Sequence, residues 1–140
     1  MSNLADLIGV SCQPLDDDGT LAVADVAIEF ADEDRVLVYV EKVGEKIRFF
    51  DGGEVVFHML ARGVAMDERS DAAFITRLTE SEGVELNDEG DLEIWSDAAG
   101  AHVAFLRFVA AMLAVAAWES TASERVLMSG NRVKIVLEQN

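Results

Sequence analysis

From Leu21 to Phe50 apolar residues recur at almost every second position, interrupted only by an acidic tetrapeptide and a glycine-containing pair. A period of two is the repeat of a β-strand with one buried face. In the first stretch, Leu21 to Phe30, the residues Ala22, Ala24, Val26, Ile28 and Phe30 share a face, and Asp25 and Glu29 take the other. Ala31-Asp32-Glu33-Asp34 links it to a second strand, Arg35 to Val43, with Val36, Val38 and Val40 inward. Gly44-Glu45 makes a tight hairpin into a third, Lys46 to Phe50. Three strands on short links form an antiparallel meander, whose apolar face has to be covered by helices.

The rest of the chain supplies those helices. Asp51 can cap a helix with Glu54 completing a capping box; it runs to about Ala61, burying Val56, Met59 and Leu60, with Gly63 beyond its end. Ser70 caps the next, whose apolar stripe is Phe74, Ile75 and Leu78. Leu92 to Trp95 is a short strand. At the N-terminus Ser2 caps a helix to about Ser11, with Leu4, Leu7, Ile8 and Ser11 on one side; Pro14 ends it, and Asp16-Asp17-Asp18-Gly19 is a turn. Ala98 to Trp118 is 21 residues long and matches a bilayer crossing in length. Nine of those residues are alanine, Arg107 sits near the middle, and no basic cluster flanks either end. It reads as a long buried helix with Phe105, Phe108, Met112 and Val115 at helical spacing. The alternation over Val133 to Leu137 fits either an edge strand or a helix. No linker, repeat or low-complexity tract divides the sequence, so the expectation is a single α+β domain over residues 1–140.

Charge narrows the function. There are 27 acids against 11 bases, a net charge of -16, yet 51% of residues are hydrophobic, which separates the chain from disordered acidic sequences. Such a field repels nucleic acid and anionic membranes and attracts basic partners. Acid excess with only three lysines (Lys42, Lys46 and Lys134) is also what whole-proteome salt adaptation produces. Cys12 is the sole cysteine, so no intramolecular disulfide forms, and Met1 to Val10 lacks a signal-peptide pattern; both suit a cytoplasmic location.

The order of segments from Val26 to about Trp118 resembles an uncharacterised family of phage, prophage and bacterial genomes, domain of unknown function 1828. The resemblance is carried by two hydrophobic strands (VAIEFADEDRVLVYVEK), a third ending in an aspartate-glycine turn (IRFFDGG) and a helix closing on glycine (EVVFHMLARG). A short helix (ERSDAAFITRLTESEGVEL), an acidic-flanked strand (DLEIW) and a long alanine-rich helix follow. The family turn usually reads Asp-Asp-Gly, and here Gly52 stands at the second aspartate. The resemblance implies an α+β fold and a mobile-element context, and it carries no activity.

No catalytic, metal or cofactor site is assembled by the sequence. His58 and His102 lie on different helices without a ligand repeat, the first expected partly exposed and the second packed on the sheet. Cys12 has no basic neighbour to activate it. Asp16, Asp17 and Asp18 are consecutive, whereas a calcium loop spaces its ligands alternately. Asp51 is accounted for by capping, with general-base chemistry as the competing reading.

Two base-free acidic runs are more informative. Asp16 to Asp34 holds eight acids and Glu80 to Asp97 eight more. They fall in loops and strand edges, not in helical i, i+4 pairs with bases. Either they are solvated loops, or Asp16, Asp17, Asp18, Asp32, Glu33, Asp34, Glu80, Glu82, Glu85, Asp88, Glu89 and Asp91 form one surface that imitates DNA. The second reading describes a non-enzymatic protein that inhibits a basic, nucleic-acid-binding host defence factor, of anti-CRISPR or anti-restriction type, as a monomer or weak homodimer. The alternative is a regulatory module that binds a protein or a second copy through an apolar face: the alanine-rich helix, an exposed Trp118 or the stretch Val133 to Leu137.

Overall fold

A computed structural model describes residues 4–30, 35–61 and 69–118. Its sheet has six antiparallel strands: β1 (Cys12–Pro14), β2 (Leu21–Glu29), β3 (Arg35–Val43), β4 (Lys46–Phe50), β5 (Glu85–Leu86) and β6 (Leu92–Asp97), in the spatial order β1-β2-β3-β4-β6-β5. Four helices accompany it: α1 (Leu4–Ile8), α2 (Glu54–Ala61), α3 (Arg69–Glu80) and α4 (Ala101–Trp118). The fold is the α+β arrangement expected, with β2, β3 and β4 as the antiparallel meander.

One side of the sheet carries the core. Ala22, Ala24, Ile28, Val36, Val38, Val40, Ile47, Phe49 and Leu92 point inward and are buried together with Leu4 and Ile8 of α1, Val55 and Met59 of α2, Ile75 of α3 and the Phe105, Phe108, Met112 and Val115 stripe of α4. Phe49 meets Phe105 with ring centroids 6.0 Å apart. β2 keeps its alternation despite an irregularity. Ala24 pairs with Val38 and Ile28 with Val36, so β2 uses four steps where β3 uses two. An even excess preserves which face each side chain takes, but it leaves Val26 only half-buried.

Several expectations shift. α1 stops at Ile8, and Cys12–Pro14 forms β1 beside Ala22 to Ala24 instead of extending the helix; three residues are too few to show a period. α2 buries Val55 rather than Val56, since the Val55 amide is fixed by the Asp51 carboxylate. α3 starts at Arg69, placing Ser70 in its first turn. The histidines exchange environments. His58 is 4% exposed, stacked on Phe30 at 3.7 Å. His102 is exposed, its Nδ1 2.6 Å from the Ile8 carbonyl oxygen. Trp118 is half-buried and packs against the core instead of standing exposed. The stretch Val133 to Leu137 and the residues Asp32, Glu33 and Asp34 lie outside the described residues.

Candidate interaction surface

All four helices pack on one side, so the second side of the sheet is open among the described residues. Strand register places its side chains in rows. Leu21, Glu41, Arg48 and Trp95 are cross-strand neighbours on β2, β3, β4 and β6; Val23, Tyr39, Phe50 and Glu93 form the next row. Each alternates with inward residues, as Arg48 does between Ile47 and Phe49. Three of these eight residues are aromatic: Tyr39 stacks on Phe50 with centroids 5.3 Å apart, and Trp95 is 48% exposed.

Arg48 is the hub. Its Nε donates to Glu93 Oε1 at 3.2 Å, and its Nη2 donates to Asp91 Oδ2 and to Glu93 Oε1, each at 3.1 Å. Its Nη1 lies 3.7 Å from Glu41 Oε1, and its guanidinium sits 4.0 Å above the Phe50 ring centroid. Glu93 also accepts from the Asn87 side-chain amide at 2.7 Å and from the Trp95 indole at 2.8 Å. Burial pushes the Glu93 carboxyl up, but the Trp95 and Asn87 hydrogen bonds and the Arg48 charge outweigh it and hold the group below its usual range. Burial alone would lower Arg48; Glu93 and Asp91 reverse the direction, and it is raised.

The turn between β5 and β6 adds further acids. Asn87 Oδ1 accepts the amides of Glu89 and Asp91, both at 2.9 Å, and Gly90 closes the turn at φ 89°. This leaves Asp88 and Glu89 exposed at the rim of a shallow groove of about 410 Å³ lined by Glu41, Arg48, Asn87, Asp88, Glu89, Glu93 and Trp95.

The structure thus gathers Asp88, Glu89 and Asp91 around Arg48. Glu85 is exposed on the edge strand β5; Glu80 and Glu82 lie at the end of α3 and in the turn beyond it. Asp17 and Asp18 are exposed in the loop entering β2, three strands from β6 and at the opposite end of the strands from the Asn87 turn. Asp16 is committed to that loop. Its carboxylate accepts from the Thr20 hydroxyl and from the Thr20 and Leu21 amides, the hydroxyl being the main reason its pKa is lowered. The acids therefore form two groups, with Glu41 and the Arg48 charge between them. Sequence reasoning missed Glu41, Arg48, Glu93 and the three aromatics, although each occupies the outward phase of its strand.

Asp51 is fully buried. Its Oδ1 accepts the amides of Gly53 at 3.1 Å and Leu92 at 2.9 Å, and its Oδ2 accepts that of Val55 at 2.8 Å, so one carboxylate ties β4, α2 and β6 together. Desolvation raises its pKa against the pull of those three donors, with Asp91 adding to the rise. At 0% exposure it offers no surface on which a substrate could rest. Among the described residues no group of three or more His, Cys, Asp or Glu is placed to hold a metal ion.

Residues 27–115 match the family model described as Domain of unknown function DUF1828. The chain belongs to this family. The DUF1828 segment includes the Arg48 hub, the Asn87 turn and most of α4, and it excludes the loop of Asp16, Asp17 and Asp18. Neither the curated proteins nor the solved structures give a match to the chain.

Proposed function

We propose that this DUF1828 protein is a non-enzymatic binding module that engages a basic protein partner through the open face of its sheet and the acids along its rim. The observation that carries this is the second sheet face: uncovered by any described helix, bearing Tyr39, Phe50 and Trp95 together with Glu41 and Glu93, and edged by the exposed Asp88 and Glu89. Aromatic residues and arginine are enriched in the centres of protein interfaces, while a charged rim sets orientation and association rate. In its sharpest form the partner is a nucleic-acid-handling defence factor of the host cell. The protein then inhibits it, in the manner of anti-CRISPR or anti-restriction proteins, by occupying the basic surface that takes phosphate. A net charge of -16 supports that form.

The test is competition. Purified protein is added to a host defence nuclease bound to labelled DNA at low salt. Displacement is expected, weakening as salt is raised, and it should be lost when Asp88 and Glu89 are changed to lysine or when Trp95→Ala empties the centre. Failure to displace DNA from any defence nuclease of the host at low salt removes the inhibitor reading. Affinity capture of a basic partner that is indifferent to all three substitutions would remove the sheet face as the contact.

A further inference from the structure

The outward side of α4 is apolar along its length. Val103 is 56% exposed, Leu106 51% and Leu113 52%, with Ala110 half-buried and Ala117 exposed in line with them. These five positions are spaced 3, 4, 3 and 4 residues apart, the seam of a helix that packs against another helix at a shallow angle. The stripe lies opposite the core stripe of Phe105, Phe108, Met112 and Val115, so one helix presents two apolar faces, of which the described core covers one. The two polar residues of the helix lean off the seam. His102 bonds to the end of α1, and Arg107 Nη1 lies 4.0 Å from where a Cβ on Gly83 would stand.

We propose that this stripe is the contact between two copies of the chain, paired antiparallel about Ala110. Two features favour a second copy over another occupant. The spacing is self-complementary to within one residue: reversed about Ala110, Val103 falls opposite Ala117, Leu106 falls one residue (~1.5 Å) from register with Leu113 and Ala110 meets its own equivalent, so large residues meet small ones at the ends and the axis is open enough for close approach. The charge also fits. Ala101 to Trp118 contains no acid in a chain of net charge -16, so two such copies meet here without opposing carboxylates across the seam. A seam ~21 Å long and ~10 Å wide is small beside the ~800 Å² per partner of a standard interface, which makes the dimer weak and concentration-dependent.

Salt distinguishes this contact from the sheet-face reading, and neither depends on the other. An apolar contact between two anionic copies tightens as salt screens their repulsion, whereas binding to a basic partner loosens. Sedimentation equilibrium of the full chain up to about 100 µM should show a monomer–dimer equilibrium that shifts toward dimer with added salt. Leu106→Glu with Leu113→Glu should weaken it by roughly tenfold or more; Leu106→Ala with Leu113→Ala serves if the charged pair impairs folding. In a Cys12→Ser background, Ala110→Cys should oxidise to a covalent dimer. Val103→Cys should do so only when mixed with Ala117→Cys. A monomer at every salt concentration, or a dimer indifferent to these changes, overturns the proposal. So does capture of the stripe by neutral phosphatidylcholine vesicles, a measurement that α4 invites because its length and mean hydropathy of 1.8 suit a membrane span.

Discussion

Replacing Arg48 with glutamine should cost about 2 kcal/mol, because three carboxylates converge on a guanidinium whose side chain is only 15% exposed. The loss comes less from the missing attraction than from leaving Asp91 and Glu93 facing each other in a half-buried site. Adding Glu93→Gln to Arg48→Gln should therefore recover part of it, and urea denaturation of the four-member cycle measures how much. Glu93 also makes a pH prediction. Its folded-state pKa lies below its unfolded value of about 4.3, so its stabilisation is complete above that value and is lost as pH falls through the folded one. Glu93→Gln should be less stable than the native chain at neutral pH and the difference should shrink on acidification. Asp51 has the opposite sign. Its folded pKa is raised, so its contribution favours the fold below the unfolded value of about 3.9 and is lost as pH rises through the folded one. A Glu93→Gln difference that stayed constant to low pH would contradict the Arg48 geometry.

The turn joining β4 to α2 shows what an element demands of one residue. Gly52 has φ 69°, and a Cβ there would lie 2.9 Å from Tyr39 Cε2. Gly52→Ala should destabilise by about 1–2 kcal/mol, and in a Tyr39→Leu background only the backbone part, about 1 kcal/mol, should remain; urea midpoints of the four chains decide it. The aspartate expected at this position by family resemblance would need the Tyr39 ring to stand elsewhere. Elements of five or more residues with clear period were legible in the sequence. β3 and β4 fall on the residues their alternation marks, and the core stripe of α4 was readable from Phe105 to Val115. β1 and β5, of three and two residues, were not, because their pairing is dictated by neighbouring strands. The candidate surface was legible only in part. The acidic run around Asp88 could be seen, but its convergence on Arg48 joins residues 43 and 45 positions apart through strand register, which no local pattern encodes. The exchange of the two histidines has the same origin: Phe30 and Ile8, not helical phase, decide which ring is covered.

Across the whole molecule a net charge of -16 sets a balance between self-repulsion and the attractions that survive burial. The two groups of acids stand three strands apart and at opposite ends of the strands, roughly 20–25 Å from each other, beyond the ~10 Å Debye length of 0.1 M salt but inside the ~30 Å of 0.01 M. Raising salt over that interval should therefore increase folding stability by about 1 kcal/mol, read in urea as a higher midpoint at unchanged slope. The Arg48 contacts act the other way but, at 3.1 Å and half-buried, are short enough to be screened little. Arg48→Gln removes one positive charge, taking the net from -16 to -17, and should gain more from salt than the native chain does. The shape of the curve then tells the two origins of acidity apart. Screening is nearly exhausted at about 1 M, where the Debye length is ~3 Å, so a surface kept acidic for binding should give a plateau. A chain whose carboxylates serve life in concentrated salt should continue to gain stability into the molar range, and that outcome would place the acidity in the cell's solvent instead of in a partner.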